Sequence, residues 1–156
     1  MIDLTGIKAL LKPHGLLVLG VADQPGPKRP SSLVLVGNTG SEVWARFLAS
    51  AEFADGYPDP LDRWSRRIGE AVAAELGAEV VFPFDGPPYP PFLEWARESG
   101  AAFSSPLSMF IHTEHGLWHA YRFALRLESL RSTIDRCVPA LSPCLSCLGQ
   151  PCLDAC

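Results

Sequence analysis

A chain of 156 residues, 47% hydrophobic and 19% charged, carries enough apolar material for one domain with its own core. Its net charge of −4 and pI near 5.5 argue against nucleic acid as a partner, because no basic surface is available to neutralise phosphates. No apolar run reaches the roughly 18 residues of a membrane span, and the opening MIDLTGIKALLKPHG has no basic leader or small-residue cleavage site, so a cytoplasmic protein away from membranes is expected.

Leu4, Ile7, Leu10 and Leu11 fall at helical spacing and predict a short amphipathic helix over 2–13, with Pro13 near its end. The apolar run Leu16–Val21 predicts a buried strand. After a turn-rich stretch over 23–32, Leu33–Val36 predicts a second, and the two form a hairpin with a long loop. Gly37-Asn38-Thr39-Gly40 lacks the lysine and spacing of a phosphate loop and reads as a turn, with Ser41 the N-cap of a helix over 41–50. The clearest helix is 59–76. Leu61, Trp64, Ile68, Val72 and Leu76 share one face, Pro60 suits the first turn and Gly77 the stop. Its Arg63, Arg66 and Arg67 read as a solvated face, with an acidic cofactor as the alternative. Asp55, Asp59 and Asp62 read as helix-start residues rather than a general acid–base pair.

Ala78–Phe82 predicts a third strand, FPFDGPPYPPF (82–92) an ordered loop, 92–97 a short helix, and 104–111 loop and strand. From Leu117 the sequence alternates. Trp118, Ala120, Arg122 and Ala124 fall on one side, and Leu117, His119, Tyr121, Phe123, Leu125 and Leu127 on the other, predicting a long strand. Taken as one extended piece, 111–121 would span roughly 36 Å, so its two ends would not approach the same cofactor. An α+β domain over 1–130 is expected, with a mixed or antiparallel sheet and helices packed against it. No G-x-G-x-x-G supports a dinucleotide fold.

The chemistry concentrates in 131–156, where Cys144, Cys147, Cys152 and Cys156 run C-x2-C-x4-C-x3-C with Pro151 before the third. A cubane iron–sulfur cluster (4Fe–4S) offers its iron corners within a few ångströms, so one short loop can supply the thiolates. The common bacterial ferredoxin run has fewer residues between its second and third cysteines than the four found here. Structural zinc is the competing site, but zinc ribbons separate their ligand pairs by about a dozen residues or more, and Leu148–Pro151 leave no room. Disulfides need an oxidising compartment. Cys137 stands apart and reads as an ordinary thiol. A cluster held here needs a covering shell beyond Cys156, which predicts that the natural protein continues and that a second cluster can share the fourth cysteine.

His112, His115 and His119, beside Glu114, give H-x2-H-x3-H. On a helix the second pair would share a metal. On a strand they lie about 13 Å apart, too far for one ion. The other functional reading has His112, His115 and Trp118 bordering a pocket shared with the 82–92 loop, where Tyr89 and Phe92 form an apolar wall for a planar cofactor. Aromatic filling of an ordinary core is the plain alternative.

The strings PLDRWSRR (60–67), FPFDGPPYPPFLEWA (82–96), SPLSMFIHTEHGLWHAYRFAL (105–125) and PCLSCLGQPCLDAC (143–156) resemble a family of bacterial ferredoxin-like 4Fe–4S proteins of unassigned function. More distantly, Gly116-Leu117-Trp118 followed by the cysteine run is similar in order to epoxyqueuosine reductase and the reductive dehalogenases. Those enzymes join a nitroreductase-like, cobalamin-binding domain to iron–sulfur clusters, and cobalamin-processing proteins share that domain. The resemblance implies a nitroreductase-like domain leading into a cluster that passes single electrons to a redox partner protein or a small-molecule cofactor. A cobalamin- or flavin-dependent reductase and a zinc-stabilised interaction domain are the alternatives.

Overall fold

Alternating short apolar runs and amphipathic segments fold into a layered α+β arrangement. The computed structural model describes residues 2–24, 31–128, 130–131 and 141–155. In chain order the elements are β1 (Ile2–Asp3), α1 (Leu4–Leu11), β2 (Leu17–Gln24), β3 (Ser31–Thr39), α2 (Glu42–Leu48), α3 (Ala51–Ala54) and α4 (Pro60–Leu76). They continue with β4 (Glu79–Val81), α5 (Phe92–Glu98), β5 (Ala102–Ser104), β6 (Phe110–His112), β7 (His119–Leu127) and β8 (Leu130–Arg131). The main sheet has four strands in the order β2-β3-β7-β4, every neighbouring pair antiparallel. β5 and β6 form a separate antiparallel hairpin, and β1 pairs with β8 in parallel. No helix among the described residues is long and apolar enough to cross a membrane.

Both faces of the sheet are covered, which is why β3 reads as a run and not as an alternation. On one face Val34, Val36, Phe123 and Leu125 meet Ile7 and Leu11 of α1, Phe47 of α2, and Trp64, Ile68 and Val72 of α4. On the other, Leu33, Leu35 and Ala124 meet Phe92, Trp95 and Ala96 of α5. Burying each large side chain is worth about 1.5–3 kcal/mol, so the core is self-sufficient. α4 starts with Pro60 in its first turn and stops at Gly77, whose φ of 60° suits the left-handed cap.

Four expectations need correction. The sheet has bulges at Leu19 of β2 and Arg122 of β7, where the register jumps from Val18 to Gly20 and from Phe123 to Tyr121. One extra residue reverses the side-chain alternation beyond it. Tyr121 therefore leaves the Phe123 face and packs on Phe92, ring centroids 6.3 Å apart, while Phe123 stays against Phe82 at 6.2 Å. Gly37 permits the second bulge, since a Cβ there would lie 2.1 Å from the Ala120 carbonyl oxygen. Second, β7 begins at His119, and the residues before it turn back on themselves. Third, Arg63, Arg66 and Arg67 are not a free solvated face: they pair with Asp55, Asp85 and Glu52. Arg66 also lies over Phe82 and Phe84, 4.4 and 5.0 Å from their centroids, and thereby ties down the 82–92 loop. Fourth, Ser41 holds the N-cap position of α2 with helical φ and ψ and makes no side-chain cap bond.

Candidate functional site

The site is built around a reversal of the chain. Ser105 donates its amide to the Met109 carbonyl at 2.8 Å and closes the β5–β6 hairpin. Beyond it, His112 and Gly116 exchange both backbone hydrogen bonds, at 2.8 and 2.9 Å, and Gly116 takes a φ of 60°. The strand that would have extended from 111 to 121 is folded into a hairpin, so Ile111 and Leu117 come to line the same cavity. The roughly 36 Å separation expected of an extended strand does not arise.

His112 is the pin of this reversal. Its Nδ1 accepts from the amides of Glu114 (3.1 Å) and His115 (3.4 Å), and its Nε2–H donates to the Leu19 carbonyl at 2.9 Å. Leu19 is the bulge residue with no partner across the ladder, and the imidazole satisfies its carbonyl. Both ring nitrogens are thus used, the ring is buried, and burial holds its pKa below the ordinary histidine range. His115 stacks on His112 at 4.7 Å, and His119 lies 5.5 Å from it with its own pKa lowered, again chiefly by burial. Among the described residues no group of histidine, cysteine or carboxylate side chains is arranged to hold a metal ion.

Cys144, Cys147 and Cys152 border one small cavity of about 200 Å³, together with Pro143, Pro151 and the Ile111–Leu117 reversal. The three are free thiols, Cys147 exposed and the other two half-buried. Cys137 and Cys156 lie outside the described residues. The segment carrying the thiols is shaped by turns. Ser142 caps the short 3-10 turn Pro143–Leu145 by accepting from the Cys144 amide, and Gly149 takes a φ of 73°. The cavity wall is apolar apart from Ser105. Its hydroxyl is buried without a hydrogen-bond partner, as is that of Tyr121 elsewhere among the described residues.

Cys144, Cys147 and Cys152 are the described residues that would hold a sulfur-ligated group here. A zinc ion with bonds of about 2.3 Å draws its sulfurs to within about 4 Å of one another. A cubane places each ligand on a different corner, so it asks for thiols around a cavity and not at a point.

A second, larger recess of about 660 Å³ opens on the other side of Leu117, which borders both. Trp44, Trp118, Leu61, His119 and Arg122 line it. Of the residues expected at a cofactor pocket, Trp118 lies here. His112 is occupied by backbone partners, His115 stacks beside it, and Tyr89 sits exposed on the 82–92 loop against Gly86. Phe92 is core. The sequence reading therefore missed Trp44, Arg122, Leu117 and Ser105. The alternation that set Trp118 beside Arg122 was a signal for one pair, but nothing local marks Trp44 as exposed. Compared with known proteins, the chain matches no family model, no curated protein and no solved structure.

Proposed function

We infer that this is an iron–sulfur redox protein in which Cys144, Cys147 and Cys152, with Cys156 as the fourth thiolate, hold a cubane cluster beside a nitroreductase-like α+β domain. The observation that carries the reading is the sharing of one apolar cavity by three free thiols from a loop and by Ile111 and Leu117 from the body of the protein. Such a cluster, once bound, supplies one-electron transfer at a potential set by charge, hydrogen bonds and solvent exposure. The chain's own part would be to hold the thiols and to exclude water with Leu107, Ile111 and Leu117.

Anaerobic reconstitution with ferrous iron and sulfide tests this. A broad sulfur-to-iron charge-transfer absorption in the visible is expected, with iron and acid-labile sulfide in equal amounts, and Cys147→Ser abolishes it. Stoichiometric zinc with no iron uptake would instead make the segment a zinc-stabilised interaction domain.

A further inference from the structure

We propose that the recess between Trp44 and Trp118 is a binding site for a flat aromatic anion, its ring against the indoles and its anionic group on Arg122. Trp118 is 83% exposed and Trp44 51% exposed, from two different elements, yet both border the same recess. Two large indoles left in water are costly, and a shared recess of about 660 Å³ falls in the range of small-molecule sites. Neither residue belongs to the buried core, whose aromatic members on this face of the sheet are Phe47, Trp64, Phe82 and Phe123. Trp44 does brace Phe47, with centroids 5.4 Å apart, which holds its ring in place.

The polar end is equally specific. Arg122 is the bulge residue of β7 and lines the recess together with Trp118 and Ala120. Its Nε–H donates to the Asn38 side-chain oxygen at 2.8 Å, which fixes the plane of the guanidinium. Among the described residues it forms no ion pair, and its terminal nitrogens keep their donors for a ligand. Asp62 of α4 is the nearest balancing charge and tempers the site without neutralising it at contact distance. A planar fork with free paired donors recognises carboxylate or phosphate.

Leu117 gives the recess its place in the molecule. Among the described residues it alone borders both this recess and the cysteine cavity, so a ring on Trp118 would sit a single side chain from a cluster. That placement rests on the cluster reading, whereas the binding itself does not.

Flavin mononucleotide and riboflavin are suitable probes, since they share a ring and differ by a phosphate. Titrating each into the full chain without iron, while following tryptophan fluorescence, separates the two parts of the site. Flavin mononucleotide is expected to bind at least tenfold more tightly than riboflavin, as a charge-assisted contact of about 1.5–3 kcal/mol implies. Arg122→Gln removes that preference, and Trp44→Ala and Trp118→Ala each weaken both ligands by about fivefold or more, as stacking energies imply. Far-ultraviolet circular dichroism checks that each variant folds; Trp44 and Trp118 are surface positions, so their variants keep the test intact if Arg122→Gln does not fold. Absence of saturable binding up to about 1 mM, or binding indifferent to both tryptophan variants, overturns the proposal. A preference that survives Arg122→Gln removes the anion part. None of these results depends on whether iron is incorporated, so this proposal and the cluster reading fail separately.

Discussion

The sheet and the cysteine segment are built on opposite principles. In the sheet, β3 and β7 pair along most of their length on either side of the Arg122 bulge, and Val34, Leu35, Val36, Phe123, Ala124 and Leu125 are all fully buried. In the segment over 141–155, Leu141, Leu145 and Leu148 are 80%, 75% and 95% exposed, and order comes from turns and caps. A region that buries its apolar residues needs no further partner to fold. A region that exposes its leucines is held by its turns and caps and not by a core of its own. The body is therefore expected to be independent of metal, and the cysteine segment is not.

The sharpest way to break this contrast is Cys147→Ser. It should remove cluster uptake altogether while the thermal midpoint of the cluster-free chain stays within experimental scatter. Coupled loss of both, or cooperative unfolding of the whole chain by a chelator, would erase the distinction. Next in size is Phe123→Ala, which empties a fully buried site between Phe82 and Gly69 and should cost about 3–5 kcal/mol in urea denaturation. It should leave the thiol count by thiol-reactive dye in the native state unchanged. A loss below 1 kcal/mol would show that the core is looser than its burial implies. His112→Ala links the two regions, because it strips the Leu19 carbonyl of its partner and the 112–116 reversal of its pin. About 1–3 kcal/mol of stability should be lost, together with part of the cluster's protection from oxygen.

The pH dependence follows from the same buried rings. His14, His112 and His119 all have pKa values lowered chiefly by burial, so the unfolded chain takes up protons at a higher pH than the native one. Their stabilisation is complete above about 6.5, the unfolded value, and is lost as pH falls below it. Melting temperature should fall between pH 7 and pH 5.5, less steeply in a His112→Gln variant that still folds. A flat profile in the wild type would contradict the burial of these rings. The smallest effect is expected from Ser105→Ala. Removing a buried hydroxyl that has no partner should leave the stability of the cluster-free chain unchanged or slightly raised. A loss above about 1 kcal/mol in urea denaturation would show that the hydroxyl is bonded.

Local patterning made most of the fold legible. The periodicity of 59–76 and the apolar runs at 16–21 and 33–36 appear as α4, β2 and β3, and the hairpin is antiparallel. What sequence did not carry was the pair of bulges at Leu19 and Arg122, because an extra residue in a strand leaves the composition unchanged while exchanging the faces. That is why simple alternation puts Tyr121 on the wrong side. The reversal at 113–116 is faint for a related reason: Gly116 is the single turn former in it, and the turn depends on a histidine that reaches 93 residues back to Leu19. At the candidate site the thiols were legible from spacing, whereas Leu117 and Ser105 entered only through that reversal.

The central claim is that the thiols around the small cavity take a four-iron, four-sulfide group and not a single ion. Native mass spectrometry of the anaerobically reconstituted full chain measures this directly, because the two differ in mass by several heavy atoms. The account predicts a mass gain equal to four iron and four sulfide on the wild type, absent in Cys147→Ser. A gain of one zinc or one iron, or no gain with the body folded, would contradict it.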